Sequence, residues 1–600
     1  MRARLSAAAI AAVITVLAGP PAGAQQQYDL IIRGGRVLDG TGGAERVADV
    51  AITGGRIARI GNLRNARATR VIDATGKYVT PGFIDMHSHA DWAYGTREGN
   101  VALNNLTQGI TTVVVGQDGR SAWRVGETIR EPIALLRREG IAENAILLIG
   151  QGSVRREVMG DTNRAATPEE ITRMRALVRD AMQAGAWGIS TGLGYVPGRF
   201  ATTEEVIAVT KEVAPFGGFY ISHLRFQNDR LMESVEETIR ISRETGVPVV
   251  LSHFKSSGAR NFGKARAAME RIKAARDSGV KAWVDVYPWA TSSDGINIDL
   301  VPDPPPQFRP ELWNPALDTL LANATNGQLA ALVLAGQPFI RMTTTEQWLR
   351  SRPRDELVET ARRALYGAAR ERNTTARREI FLAELADSVR GKAMRDAIRR
   401  RLEATNGGEL NVIEDAPDDR LDGKTLAQAA AILGVDLVEA AIQVDLMGAA
   451  VTNYHMSEPD VEAILSFNSF TALSTDGTVP PFGVGETHPR SYGTYPRLFG
   501  HYVKNRKVLT WPQAVRASSG LAADMIGLTD RGYLKEGQAA DVVVMDPNTI
   551  GECATYAKPH CYSKGIDYLI VNGVLTLDGG KYTGAKAGQV LTRSRATASR

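Results

Sequence analysis

Histidines at the ends of apolar segments are the residues of this sequence best suited to chemistry. His87 and His89 end the apolar run in PGFIDMHSHAD, residues 81–91, and side chains two apart on a β-strand point the same way. His223 and His253 end the apolar runs GFYISH and PVVLSH. Only eight histidines occur in 600 residues, so four at such ends indicate a shared site.

Two aspartates follow further segments of the same kind, Asp118 after TTVVVGQ and Asp476 after FTALST. Imidazole nitrogen and carboxylate oxygen are ligands of borderline metals such as zinc. Zinc lowers the pKa of a bound water to about 7, and Asp476 is the candidate general base that takes its proton. A turn before Gly477 is the alternative role of Asp476. The pattern predicts one or two divalent metals and hydrolysis of an amide or related bond.

Eight strand-like apolar segments in the middle of the chain place these residues, and amphipathic helical patterns separate most of them. In residues 167–185 a threonine is followed three positions later by glutamate, which is typical of a helix start. Strands alternating with helices in this way indicate an α/β fold, a (β/α)8 TIM barrel with its chemistry at the C-terminal strand ends. The long stretch 295–455, which opens with a proline-rich segment, separates segments seven and eight. We expect it to be an insertion over the barrel mouth.

Both ends of the chain carry short alternating patterns, YDLIIRGGRVLDG at 28–40 and DYLIVNGVLTLDG at 567–579. Each is typical of two strands joined by a glycine turn. We expect one small β-sandwich domain built from residues 25–80 and 529–600, with the barrel at 81–528 between them.

The first 24 residues are predicted to be a cleaved signal peptide. Arg2 and Arg4 precede the apolar SAAAIAAVITVLAG, and AGA at 22–24 is typical of a cleavage site. The apolar run is too short for a membrane span. No cysteine directly follows it, so no lipoprotein anchor in the membrane is expected. The sequence therefore predicts an exported protein, periplasmic or secreted.

Composition is that of a globular protein, with 44% hydrophobic and 23% charged residues. The net charge of +5 falls to +3 without the two arginines of the signal peptide, and no basic block accompanies it. Nucleic-acid binding is therefore not expected. Cys553 and Cys561 are the only cysteines, and export favours a local disulfide over two free thiols. Oligomeric state is left open.

Several motifs resemble a known family. PGFIDMHSHAD, the later strand-end histidines and the final aspartate are similar to the amidohydrolase superfamily. More narrowly, GISTGLGYVPG, MSEPDV, HPRSYGTYPR and DRGYLKEGQAADVVVMDP resemble the N-acyl-D-amino-acid deacylases, or D-aminoacylases. The similarity covers most of residues 28–595 and is weakest in about 300–440.

The resemblance implies a site as well as a fold. It assigns His87 and His89 to one metal position, His223 and His253 to the other, and makes Asp476 both ligand and general base. It implies deacylation of an N-acyl-D-amino acid, a small-molecule substrate. The residues implied to hold the substrate's carboxylate and carbonyl are Tyr195, Lys255, Tyr287, Ser293 and Arg490. The guanidinium of Arg490 can bind a carboxylate through two parallel hydrogen bonds, and the ammonium of Lys255 adds a point charge. The alternative role of both cations is a surface salt bridge. The alternative role of both tyrosines is packing at the barrel rim.

One position departs from the family. These deacylases typically have Asn-Cys-Gly after TTVVVG, with the thiolate as a metal ligand, whereas this chain has Gln117, Asp118 and Gly119. We expect Asp118 to be the substitute ligand, and a turn aspartate is the alternative. Oxygen in place of sulfur makes the site harder and more tolerant of Mn²⁺ or Co²⁺ beside Zn²⁺.

Three other functions remain open on the sequence. A dipeptidase acting on unusual or D-containing peptides needs the same metal and the same grip on a carboxylate. A cyclic-amide hydrolase, such as a dihydroorotase or hydantoinase, commonly uses a carboxylated lysine on strand four, and AWGISTGLGYV contains none. An inactive ligand-binding barrel, the different class of function, is disfavoured because the ligand set is intact.

Overall fold

The computed structural model describes residues 27–121, 129–293, 321–329, 354–355, 357–358, 361, 381–483 and 487–593. The predicted signal peptide lies outside these residues, as does much of the predicted insertion. No helix in these ranges is long and apolar enough to cross a membrane.

Strands supply both the barrel and the β domain. They are β1 (Gln27–Val37), β2 (Arg46–Thr53), β3 (Arg56–Gly61), β4 (Arg67–Asp73), β5 (Tyr78–Pro81), β6 (Phe83–Asp85), β7 (Ile110–Val115), β8 (Asn144–Leu147), β9 (Ile149–Gly150), β10 (Gly188–Gly192), β11 (Phe219–His223), β12 (Val249–Leu251), β13 (Ala282–Val286), β14 (Asn411–Asp415), β15 (Ala450–Asn453), β16 (Thr471–Leu473), β17 (Val542–Met545), β18 (Ile566–Val571), β19 (Val574–Asp578), β20 (Lys581–Tyr582) and β21 (Val590–Leu591).

Helices follow most of the barrel strands. The α-helices span Arg97–Val101, Leu103–Leu106, Arg130–Glu139, Gln151–Met159, Pro168–Ala184, Thr203–Thr210, Leu231–Thr245, Ala265–Asp277, Arg390–Thr405, Gly407–Leu410, Leu426–Leu433, Leu437–Leu446, Glu458–Ser466, Arg490–Arg497, Trp511–Ser518 and Gly520–Ile526.

The predicted barrel is confirmed. Its parallel strands form two sheets, one in the order β16, β13, β12, β11, β10, β9 and the other in the order β21, β8, β7, β6. The sheets are joined on one side because β8 and β9 are nearly continuous along the chain. On the other side the backbone N–H of Asp476 donates to the carbonyl of His87 at 2.8 Å, and His89 N–H donates to Gly477 at 2.8 Å. The first and eighth strand ends are therefore held side by side.

Local sequence signals explain where the barrel helices begin and end. Thr167 and Glu170 form a capping box at the start of the helix Pro168–Ala184, and Gly185 ends it with a φ of 114°. The side chains of a capping box satisfy backbone N–H groups that have no partner within the helix. This helix lies where the sequence predicts it.

The two chain ends form one β domain, as predicted. Its nine-stranded sheet runs β20, β19, β18, β17, β5, β1, β2, β3, with β4 on β1. The antiparallel pair β5 and β17 joins the N-terminal strands to the C-terminal ones. At its edge, β3 contacts the segment before β17, where Ile57 N–H donates to the carbonyl of Gln538 at 2.9 Å.

Two features of the fold go beyond what the sequence patterns specify, and the second lies within the predicted insertion. β21, close to the C-terminus, pairs in parallel with β8 of the barrel. Within residues 381–455, β14 and β15 pair as antiparallel neighbours, and the helices around them enclose a separate apolar core. This unit joins the barrel where Gly258 N–H donates to the carbonyl of His455 at 2.8 Å.

Candidate metal centre and substrate cavity

The four predicted histidines meet at the C-terminal end of the barrel strands. His87 Nε2 lies 3.3 Å from His89 Nε2, and His223 Nδ1 lies 2.9 Å from His253 Nε2. The first pair comes from the strand end after β6, and the second from β11 and the strand end after β12. The spacing of two residues thus aims His87 and His89 at one point, as the sequence predicts.

Asp118 lies between the two pairs of imidazoles. One of its oxygens is 3.4 Å from His253 Nε2 and 3.7 Å from His87 Nε2. The other is 3.5 Å from His89 Nε2. Asp118 is therefore a member of two potential ligand groups, one with His87, His89 and Asp476 and one with His223 and His253.

The donor set fits divalent metal ions. Within each group the ligand atoms lie within 4.8 Å of one another, and nitrogen with carboxylate oxygen suits zinc and its neighbours. Asp118 Oδ1 is buried and has no hydrogen-bond partner in the described part of the chain. Buried carboxylate oxygens normally have a partner, and a cation shared by the two groups would provide it.

Asp476 completes the first group and also contacts the guanidinium of Arg490. Its Oδ1 lies 3.2 Å from His89 Nε2 and 3.4 Å from His87 Nε2. Its Oδ2 lies 2.8 Å from Arg490 Nη1. Although burial opposes ionisation, Arg490 and the neighbouring histidines hold the pKa of Asp476 well below its usual range.

Burial and charge set different pKa values for the imidazoles. Burial lowers the pKa of His87 to about 3 and that of His223 well below its usual range. Burial also opposes protonation of His89, but Asp118 and Asp476 outweigh it and raise the pKa of His89 to about 10. In the absence of metal, the two carboxylates therefore favour the protonated form of His89.

Three of these side chains project from unusual backbone. The φ angles of Asp118, His253 and Asp476 are 56°, 33° and 49°, values that non-glycine residues adopt rarely and at some cost. Gly119, with a φ of 69°, follows Asp118, and a Cβ there would lie 2.6 Å from the backbone nitrogen of Gly192. Only glycine fits this turn, which holds Asp118 against the neighbouring strands.

Buried groups that the sequence analysis did not select support the ligands. Asp85 accepts hydrogen bonds from His87 N–H at 3.2 Å and from Thr475 N–H at 2.8 Å. Asp285 accepts hydrogen bonds from His253 N–H at 2.9 Å and from the Ser474 hydroxyl at 2.6 Å. Both acids lie in apolar strands, and a carboxylate in such a run is a signal that could have identified them. Ser252 Oγ lies within hydrogen-bond distance of His87 Nδ1.

A cavity of about 540 Å³ opens above the ligands. Four of the five residues predicted to contact substrate line it: Tyr195, Lys255, Ser293 and Arg490. The fifth, Tyr287, is buried and lies beside the cations, with its ring centre 5.3 Å from Lys255 Nζ and 4.8 Å from the Arg490 guanidinium carbon. Lys255 and Arg490 thus both lie against the same aromatic ring.

The segment that carries Arg490 is held by a loop with the predicted disulfide. Cys553 and Cys561 are bonded, and Tyr556 between them packs on Trp289 and His488, with ring centres 5.7 and 5.4 Å apart. His488 Nδ1 accepts a hydrogen bond from Arg490 N–H at 3.0 Å. His488 therefore has a structural role beside the cavity.

The model of the family described as "Amidohydrolase family" matches residues 70–577 of this chain. The chain belongs to the amidohydrolase family. Within this family it is 31% identical to the D-aminoacylase of Alcaligenes xylosoxydans xylosoxydans over 590 residues, which is 95% of this chain and 99% of that protein. It is 30% identical to the N-acyl-D-aspartate deacylase of the same organism, over 95% of this chain and 96% of that protein.

A solved structure of this amidohydrolase branch has the same fold. The N-acyl-D-glutamate deacylase of Bordetella bronchiseptica, crystallised with zinc and a phosphonate inhibitor, matches with a TM-score of 0.67 and 28% identity. The match covers 94% of this chain and 100% of that one. The overall fold of this chain is thus shared with that deacylase over nearly its whole length.

Proposed function

We propose that this amidohydrolase removes the acyl group from N-acyl-D-amino acids, giving a carboxylate and a free D-amino acid. The observation that carries the proposal is the position of Asp476, which faces His87 and His89 through one oxygen and Arg490 through the other. A base, a ligand set and a carboxylate-binding cation are thus adjacent. Relatives similar over nearly the whole chain act on N-acyl-D-amino acids according to their names.

The residues divide the work of amide hydrolysis. His87, His89, Asp118, His223, His253 and Asp476 would hold one or two divalent metals. Such a metal supplies Lewis-acid polarisation of the amide carbonyl and an acidified water. Asp476 is ionised at neutral pH because its pKa is held low, so it can accept the water's proton and deliver it to the leaving nitrogen.

Lys255 and Arg490 would orient the substrate through its α-carboxylate. Both are buried in the cavity wall and both lie against Tyr287, so their side chains are fixed before substrate arrives. A fixed cation binds a carboxylate without the cost of ordering a long flexible side chain.

We propose Zn²⁺ as the natural metal, with Mn²⁺ or Co²⁺ as active replacements. Two carboxylates and four imidazoles, with no thiolate, form a ligand set of intermediate hardness. The zinc in the related Bordetella deacylase supports this assignment. We further propose that the protein is exported to the periplasm, which rests on the charged and apolar pattern of residues 1–24.

The test is a substrate panel with the wild-type protein and an Asp476→Asn variant. The panel contains N-acetyl-D-amino acids, their L-enantiomers, D-containing dipeptides and hydantoins, each with Zn²⁺, Mn²⁺ or Co²⁺. We expect turnover of N-acyl-D-amino acids, and a loss of kcat of at least about a thousandfold in the variant with an unchanged circular dichroism spectrum. Near-normal kcat for Asp476→Asn would refute the role of Asp476 as base. Turnover restricted to dipeptides or hydantoins would refute the substrate class.

A further inference from the structure

A third cation, Arg120, lines the substrate cavity together with Lys255 and Arg490. Arg120 follows the strand end after β7 and its side chain is exposed in the cavity. Lys255 follows β12 and Arg490 follows β16. In a barrel of eight strands the second strand lies opposite the sixth. Arg120 and Lys255 therefore follow opposite strands of the barrel, whereas Arg490 follows the eighth strand, which only the first strand separates from the second.

The backbone that carries Arg120 is fixed. Its N–H donates to the carbonyl of Gln117 at 2.9 Å, which closes the turn around Asp118. On the other side Ser121 N–H donates to the hydroxyl of Ser153 at 2.9 Å. Arg120 is thus part of the hydrogen-bonded turn that also carries Asp118.

The guanidinium of Arg120 is aimed by an aromatic ring. Its central carbon lies 5.2 Å from the ring centre of Tyr195, whose ring in turn lies 4.3 Å from that of His223. Stacking on an aromatic face leaves the guanidinium N–H groups directed outward at the edge of the plane. Arg120 lines the cavity, and among the residues that the structure describes no carboxylate forms an ion pair with it.

The other basic side chains of the cavity have assigned contacts. Arg490 faces Asp476 at 2.8 Å, and Lys255 Nζ lies 3.0 Å from His253 Nδ1. His455 uses both ring nitrogens, Nε2 with the Ser292 hydroxyl at 3.1 Å and Nδ1 with the carbonyl of Asn453 at 3.2 Å. Arg120 is the cation of this cavity whose side chain has neither an ion pair nor a hydrogen bond with a described residue.

We infer that Arg120 binds a second anionic group of the substrate, separate from the α-carboxylate. This inference rests on the proposed deacylase function and specifies its substrate class. A carboxylate is the group that a forked, stacked guanidinium recognises best. The second carboxylate belongs either to the amino-acid side chain, as in an acidic residue, or to a dicarboxylic acyl group.

Matched substrate pairs distinguish these two sources. N-acetyl-D-glutamate and N-acetyl-D-glutamine have the same shape and differ in side-chain charge. N-succinyl-D-leucine and N-succinamoyl-D-leucine differ in the same way at the acyl end. For one of the two pairs, we expect wild-type kcat/KM to favour the acid by about tenfold to a hundredfold, mainly through KM.

The variant Arg120→Gln removes the charge and keeps polarity and much of the length. It should reduce the preference within that pair to about twofold or less, with kcat/KM for the neutral substrates within about twofold of wild type. Arg120→Lys should restore part of the preference because it returns the charge without the fork. The matched control is Arg199→Gln, since Arg199 is also exposed, stacks on Phe200 and does not line the cavity.

Two results would overturn the inference and leave the proposed function intact. One is a wild-type protein that cleaves N-acyl-D-amino acids with no preference for the acid in either pair. The other is an Arg120→Gln variant that loses kcat/KM equally for acidic and neutral substrates, which would assign Arg120 to the shared α-carboxylate or to the fold. Failure to cleave any N-acyl-D-amino acid would instead refute the proposed function together with the inference.

Discussion

Asp118 is the residue on which the nature of the metal centre depends, and its replacement makes a quantitative prediction. It contributes an oxygen to both ligand groups, so Asp118→Ala leaves the first with His87, His89 and Asp476 and the second with only two histidines. Catalytic zinc sites keep three protein ligands. The first group should therefore still bind an ion, whereas the second should not.

The size of the effect follows from what Asp118 contacts. Its oxygens face imidazole nitrogens of both pairs at 3.4 to 3.7 Å, so it would neutralise charge on two ions at once. Losing a partner that merely orients a ligand costs about 10- to 100-fold in metal affinity. Losing a charged ligand should cost at least the upper figure, about 100-fold, at the second position. In a protein that fills both groups, the expected stoichiometry falls from two ions to one.

The assay is metal content, which does not depend on turnover. Metal-free protein is loaded with Zn²⁺, equilibrated against a competing chelator and measured by inductively coupled plasma mass spectrometry. Asp118→Asn tests the charge alone, and Asp118→Cys returns the thiolate typical of the family and should keep two ions. Asp476→Asn is the control, because Asp476 belongs to the first group only and its loss should spare the ion at His223 and His253.

Wild-type stoichiometry and affinity in Asp118→Ala would refute the reasoning, and Asp118 would then be a turn residue. Loss of the same single ion in Asp118→Ala and Asp476→Asn would show that Asp118 is not shared. Circular dichroism and the thermal midpoint of each variant confirm that the barrel is intact.

Two further predictions concern pH and the disulfide. Because Asp118 and Asp476 raise the pKa of His89 to about 10, His89 must lose a proton to bind metal. Zn²⁺ affinity should then rise about tenfold per pH unit from 7 to 9, and chelator competition showing no pH dependence would contradict this. The bond between Cys553 and Cys561 closes a loop of eight positions, so reducing it should lower the free energy of unfolding by about 2.5 kcal/mol. Urea titration with and without dithiothreitol measures this difference. As the control, the variant with both cysteines replaced by serine should be insensitive to the reductant. Equal urea midpoints for the oxidised and reduced wild-type protein would refute the prediction.

Patterns along the chain were sufficient for the architecture and for much of the ligand set. Strand periodicity places His87 and His89 on one face, and the alternation of strands and helices brings the ends with His223, His253 and Asp476 to one rim. The Thr167 cap and its helix were equally accessible. These inferences succeed because local backbone geometry and the topology of a parallel barrel fix which ends meet.

Some groups escaped the sequence because their role depends on distant partners. Asp85 is a supporting acid only because Thr475 lies beside it, 390 positions later in the chain. Asp285 has the same relation to Ser474. The pairing of β21 with β8 joins residues more than 400 positions apart, and no pattern of two residues specifies such a register. Contacts of this kind arise from packing of the whole domain, not from propensity.

The sequence by itself determined that this protein has an amidohydrolase barrel with four histidines and two aspartates at its mouth. Only the tertiary structure decided how those residues are shared. It places Asp118 between both imidazole pairs, Arg490 against Asp476, and Arg120 across the cavity from Lys255. The reason is physical: residue type and period specify which way a side chain leaves its own strand, whereas distances between strands depend on register, on barrel curvature and on the left-handed backbone at Asp118 and Asp476.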